Sequence, residues 1–225
     1  DQTFRIIQKN LNGIIKLSKE RVFSELIKII SLDNIKDLFS KKKFYEIFKV
    51  IFPELKYSDK LKGMNQEIYK KFVQSEQNLL LALLLVDDTD NHIYFAHKYK
   101  VSSYLKESLI FFHQCFWEAK KNKNFFGKDL KKNIFYHGKN KIASLAKFYF
   151  LSHAKKNYAN LTNILIKIDS TSIPEFPITG KYLLEQGFKS GRKIGEILKR
   201  IEKEWVKNDF NLEDEQLKNL IKKYT

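Results

Sequence analysis

The 225-residue sequence predicts an all-α fold, a curved array of stacked helices ending in a C-terminal helical hairpin, and three observations carry that prediction. Only 8 Gly and 3 Pro interrupt long stretches of Leu, Ile, Lys and Glu, and no run of short alternating segments reads as a sheet. Apolar residues recur at helical spacing behind recognisable caps. With 43% apolar and 14% aromatic residues, a chain of this length can also bury a real core. There is no internal repeat and no low-complexity segment, so successive helices are expected to stack in one or two packed units.

Taken in order, Leu11 to Ile30 (LNGIIKLSKERVFSELIKII) has Ser18 as an N-cap and Glu20 in the first turn. Val22, Phe23, Leu26, Ile29 and Ile30 form its apolar face. Phe44 to Leu55 is a short apolar helix stopped near Pro53, since the residue before a proline is pushed out of the helical region. Ser58 to Gly63 reads as a connector, and Gln66 to Val86 as one long helix. The C-terminal part of that helix, Leu79 to Val86, is apolar on every side and therefore buried. It is far shorter than the roughly 20 residues a membrane span needs. Tyr94 to Phe116, Lys139 to His153 and Leu161 to Ile168 read as further helices. The chain divides at these points into regions 1–57, 58–170 and 171–225.

The last region contains Phe176 to Trp205, with four of the eight glycines. Thr179 can cap a short helix whose apolar side is Leu183 and Leu184, and Gly187 can end it in a left-handed conformation. Ser190 is a second N-cap, after which Ile194, Ile197, Leu198, Ile201 and Trp205 fall on one helical face and Arg192, Lys199, Lys203 and Lys207 on the opposite one. One side is to be buried, and the other is shown to something negative.

The formal charge of +16 would attract an extended polyanion, nucleic acid first and an anionic membrane surface second. Only Arg5, Arg21, Arg192 and Arg200 are arginines, and the excess of Lys, Ile, Asn, Phe and Tyr is what AT-rich coding produces. The distribution is therefore more informative than the sum. Between Asn91 and Asn160, 14 Lys face only Glu107, Glu118 and Asp129, a net of +11 that leaves +5 for the rest. Within it, Lys120 to Lys141 (KKNKNFFGKDLKKNIFYHGKNK) alternates Lys120, Lys121, Lys123, Lys131, Lys132, Lys139 and Lys141 with Phe125, Phe126, Phe135 and Tyr136. The lysines suit phosphates, and the aromatics are expected in the core rather than stacked on bases.

Two blocks carry a family resemblance. FPITG, a Leu-Leu pair and G-F-x-x-G-x-x-I-G-x-x-L before a Trp resemble the tail of bacterial CCA-adding tRNA nucleotidyltransferases, close relatives of the poly(A) polymerases. Leu17, Ser18, Glu20, Arg21, Val22, Glu25 and Leu26 resemble that family's neck, IFPEL its neck-to-body junction, and KVSSYLKESL part of its body. Two positions depart from the pattern. The family commonly has Asp where Tyr182 stands, which would loosen the start of the first tail helix, and prolines at Ser190 and Arg192. The resemblance implies a neck (1–57), a basic body (58–170) and a tail (171–225) that bind tRNA in the cytoplasm with no membrane partner. Arg21 is then expected to pair with a carboxylate and hold the neck rather than touch RNA. Catalysis, magnesium and CTP or ATP belong to the complete enzyme, through a head domain on the same or another polypeptide. A chain beginning with Asp1 rather than Met reads as a piece of a longer product. Two rival readings stand beside this one, a poly(A) polymerase remnant and a non-enzymatic RNA-binding protein.

Other chemistry finds little support. Asp87, Asp88 and Asp90 have the Asp-x-Asp spacing that holds two magnesium ions, but they trail a buried helix, as solvated acids ending such an element would. His92, His97, His113, His137 and His153 are scattered without partners at ligand spacing, and the lone Cys115 lies in an apolar context. No catalytic or metal-binding residue is therefore expected. No phosphate-cradling glycine loop or nucleophile elbow occurs.

Overall fold

A computed structural model describes residues 2–152, 158–189 and 191–222. Sixteen helices and no strand are found among them. The N-terminal third holds α1 (Gln2–Lys9), α2 (Leu11–Ile15), α3 (Lys19–Ile30), α4 (Ile35–Ser40), α5 (Lys42–Ile51), α6 (Asp59–Lys62) and α7 (Gln66–Phe72). The middle holds α8 (Gln77–Leu85), α9 (Asn91–Lys98), α10 (Ser103–Lys121), α11 (Leu130–His137), α12 (Lys139–Ser152) and α13 (Tyr158–Ser170), and the end holds α14 (Gly180–Glu185), α15 (Arg192–Lys207) and α16 (Asp214–Lys222).

Side-chain caps open α3, α7, α10 and α14. The hydroxyl of Ser18 accepts the Arg21 N–H at 3.3 Å, and that of Thr179 accepts the Tyr182 N–H at 3.2 Å, so the missing Asp at Tyr182 does not cost α14 its cap. Gly187 ends that hairpin arm at φ 91. Gly191 occupies the N-cap position of α15, at φ 136 and with no side-chain cap, while Ser190 and His153 lie outside the described residues.

Two long helices expected from periodicity are each broken. Gln66 to Val86 is divided by a turn at residues 73–76, where Gln74 donates to Asp33 at 2.8 Å and Glu76 is drawn into an ion pair with Lys147. Tyr94 to Phe116 is divided because Lys100 adopts φ 47 and the hydroxyl of Ser102 accepts the Leu105 N–H at 3.3 Å, restarting the chain as α10. Ser58 to Gly63 is no loose connector: it contains α6, with Ser58 and Leu61 fully buried.

One continuous core runs from Val22 to Ile168. Its axis is α8, whose residues Leu79 to Leu85 are each at most 2% exposed and which packs against α10 and α12. Burying each leucine there contributes roughly 1.5–3 kcal/mol, and a carboxylate introduced at Leu83 would break the arrangement. Neighbouring helices stack on this axis, α9 on α10 and both α11 and α13 on α12. A second, smaller core in the tail joins Leu183, Phe188, Ile197, Ile201, Leu217 and Ile221. Leu184 stays outside it, 46% exposed.

Candidate nucleic-acid interface

The basic segment begins where α10 ends. Asn122 shapes the return: its side-chain oxygen accepts the Asn124 N–H at 2.9 Å, and its amide donates to Asp129 at 2.7 Å. From α11, Asn133 donates to the Phe125 carbonyl at 2.9 Å. These bonds turn Phe125 inward to 1% exposure and hold Phe126 half-buried, 5.5 Å from Tyr149, leaving Lys121 and Lys123 outside. Among the described residues Lys120, Lys121, Lys123 and Lys132 are exposed with no carboxylate within 4 Å, and Lys120 stands 4.5 Å over the Trp117 ring. The segment's one acid is occupied by Asn122, so these four ammonium groups present charge that nothing internal neutralises. Phe125, Phe126 and Phe135 follow the core expectation, whereas Tyr136 is 48% exposed.

Lys131, Lys139 and Lys141 have internal duties. Lys131 lies 4.5 Å over the ring of Phe210, and Lys139 donates to the Asp169 carbonyl near the end of α13. Lys141 stands 5.8 Å from the Phe111 ring at the mouth of a cleft of about 540 Å³ between α8, α10 and α12. In that cleft Glu76 is bound by Lys147 and Ser144.

In the tail, Arg192, Lys199, Lys203 and Lys207 are exposed on α15 as expected. Arg192 pairs with Glu196 at 3.1 Å and Lys207 with Glu204 at 3.4 Å, surface pairs worth little in water. Lys199 and Lys203 have no carboxylate within 4 Å among the described residues. Trp205 corrects the hairpin reading. Its ring, 2% exposed, meets Phe176 at 5.3 Å, Phe210 at 5.0 Å and, from α11, Phe135 at 5.8 Å. It therefore seals the tail to the body. Phe210 itself adopts φ 64, a conformation costly for a bulky residue and held by Trp205, Phe135 and Lys131 around its ring. The Asn208-Asp209 pair after Trp205 was the sequence signal for this turn.

The neck residues divide their roles differently from expectation. Glu20, not Arg21, ties the neck to the body: it pairs with Lys100, 80 positions on, at 2.6 Å, and that bond holds its carboxyl below the usual range. The guanidinium of Arg21 is exposed with no carboxylate within 4 Å among the described residues, so its cationic head is free for an external anion.

The acidic triplet is structural. The Asp87 side chain is only 4% exposed, pairs with Lys56 at 3.1 Å and accepts the Thr89 N–H at 2.9 Å, which corrects its reading as a solvated acid. Burial would raise its pKa, but the bonds from Thr89 and Lys56 outweigh that and keep it low. Asp88 and Asp90 are exposed, and no three metal-ligating side chains converge among the described residues. The residues present thus do not fit a two-magnesium site. The histidines are less scattered than their spacing implied, since His92 and His113 stack at 4.4 Å. Burial, then the neighbouring imidazole, pushes His92 down. Burial likewise raises the Cys115 thiol to about 11, leaving it unreactive.

Comparison with known proteins places two family signatures on this geometry. Residues 1–58 match the family described as "Probable RNA and SrmB- binding site of polymerase A", and residues 70–221 match "tRNA nucleotidyltransferase domain 2 putative". The chain is also similar to the mitochondrial CCA tRNA nucleotidyltransferase 1 of Mus musculus, 30% identical over 66 residues, 29% of this chain. The counterpart from Homo sapiens is 33% identical over 60 residues, 27% of this chain. The chain spans 15% and 14% of those relatives' own lengths. No helix among the described residues is long and apolar enough to cross a membrane.

Proposed function

The chain belongs to the tRNA nucleotidyltransferase domain 2 family, and from that premise we propose that it is the tRNA-binding helical part of a CCA-adding enzyme, positioning tRNA for a catalytic head domain outside these 225 residues. The observation that carries this reading is the coincidence of the matched region, residues 70–221, with the unneutralised lysines Lys120, Lys121, Lys123, Lys132, Lys199 and Lys203. Ammonium groups spread over a helical surface recognise the phosphate backbone without reading bases, which suits a protein that must hold every tRNA alike. Magnesium and CTP or ATP are supplied to the head. Arg21 on the neck, exposed and with no carboxylate within 4 Å among the described residues, is a further cation open to the same polyanion, and a buried unreactive thiol suits the reducing cytoplasm.

Filter binding of an unmodified tRNA transcript over a salt series tests the proposal. Affinity should fall steeply with salt, and absence of binding at low salt would refute it. A second reading, service to a poly(A) polymerase, is favoured by the match at residues 1–58 to a polymerase A signature. Reconstitution with a head domain separates the two: the product ends after CCA under the first reading and runs on in A under the second.

A further inference from the structure

At the edge of the lysine surface lies a shallow pocket of about 290 Å³ between the turn before α6, the end of α8, α10 and α12. Phe116 and Phe148, 5.2 Å apart, line it, and Tyr57 and Trp117 are half-exposed beside them. Each of the latter two rings carries a lysine: Lys60 lies 4.0 Å from the Tyr57 centroid and Lys120 lies 4.5 Å from that of Trp117. Lys60 is half-buried with no carboxylate within 4 Å among the described residues, and burial pushes its pKa down. Asp87 on the same lining offsets that only in part, since burial still outweighs it, and an anion arriving at the rim would stabilise the ammonium further. The direct bonds of Asp87 go to Lys56 and Thr89 rather than to Lys60.

We infer that this pocket receives one unstacked nucleotide of the bound RNA, its base against Trp117 and Tyr57 and its phosphate at Lys60 and Lys120. The inference rests on the RNA-binding reading above and gives it a specific site. The volume lies at the lower limit of about 300–1,000 Å³ for small-molecule sites, so it suits a single base rather than a folded element. Aromatic rings with interleaved lysines are the physical requirement for holding an unpaired base, because every base has a π-face and every linkage a charge. Asp88, exposed on the same lining, sets the polarity: it repels phosphate from its side and can accept a hydrogen bond from a base amino group.

The test uses the whole chain, an unmodified tRNA transcript and Trp fluorescence. Trp205 is buried and supplies a constant background, so quenching on RNA addition reports Trp117. Wild type should be quenched by tRNA and not by a blunt, fully paired RNA duplex. Trp117→Leu should weaken tRNA binding about 5- to 150-fold, the range for removal of one base–aromatic stack. Trp117→Phe should restore most of that. Lys60→Gln, which leaves the rings in place, should lower the salt slope by about 0.7. Thermal melts check that each variant is folded. If wild type binds no tRNA at all, the RNA-binding reading itself fails. If wild type binds tRNA but Trp117→Leu and Lys60→Gln bind as tightly, with no quenching, the pocket inference alone falls. Equal quenching by free ATP or CTP without RNA, or by the duplex, would also overturn it.

Discussion

Replacing Trp205 by alanine tests whether tail and body are one cooperative structure. The indole is 2% exposed and has three aromatic neighbours with centroids between 5.0 and 5.8 Å, so truncation opens a cavity that rigid rings cannot easily fill. Loss of a buried Trp costs about 3–5 kcal/mol, and the ring pairs place this site toward the upper end. For a domain of this size each kcal/mol moves the midpoint by about 2–4 °C, so a fall of roughly 6–20 °C is expected in a melt followed by circular dichroism. Amide exchange gives the sharper result. Because Trp205 meets Phe135 on α11 as well as Phe176 and Phe210 in the tail, protection should fall together in α11 and α15. A fall confined to α15, with α11 unchanged, would refute the seam and return Trp205 to the hairpin alone.

Neutralising Lys121, Lys123 and Lys132 to Gln should preserve the melt and flatten the salt dependence of tRNA binding, by up to about 0.9 log unit of slope for each phosphate left unneutralised if the duplex-DNA coefficient applies; an unchanged slope would make them solvated surface. Lys131→Gln should behave differently, lowering stability by about 0.5–1 kcal/mol because no cation then stands over the Phe210 ring, while changing the slope less than those three together. Reversing Arg192, Lys199 and Lys203 to Glu should leave folding intact, since all three are exposed, and weaken tRNAs of different sequence alike; wild-type affinity at low salt would remove α15 from the interface. The buried His92, whose folded pKa lies below its unfolded value of about 6.5, takes up a proton more readily when unfolded. Its contribution to stability is thus full above that pH and declines as pH falls toward the depressed folded value, so His92→Gln should melt with a shallower pH dependence on the acid side of about pH 6.5.

The sequence disclosed what is local. Ser18, Thr179 and Gly187 act through neighbours within a few residues, and their roles were readable from spacing alone. The apolar run Leu79 to Leu85 likewise declared its burial. Interruptions were harder. The turn before α8 depends on Glu76 reaching Lys147, 71 positions on, and no periodicity of residues 66–86 contains that pull. Ser102 did leave a local signal, an N-cap inside a continuous apolar pattern, and the pattern masked it. The site shows the same division. That lysines crowd residues 120–141 was plain, but which of them are free was not, because Lys131 is taken by a ring 79 positions away and Lys139 by a carbonyl 30 positions away.

That partition changes how the charge of +16 should be understood. Lysines here do three kinds of work. Lys56, Lys98 and Lys147 neutralise buried or half-buried carboxylates, so their charge is cancelled inside the fold. Lys60, Lys120 and Lys131 lie over aromatic rings, where the π-face steadies the ammonium without cancelling its charge. Among the described residues Lys121, Lys123, Lys132, Lys199 and Lys203 have neither kind of partner and keep both their charge and their freedom. Only the last two groups can release counterions from a phosphate backbone, and only the last can do so without rearranging the protein. The aromatic seam of Phe135, Trp205 and Phe210 then matters electrostatically as well as structurally. By fixing α15 to α11 it holds the lysines of tail and body at a constant separation, so that under the proposed function a rigid RNA would meet both without the entropy of ordering the protein.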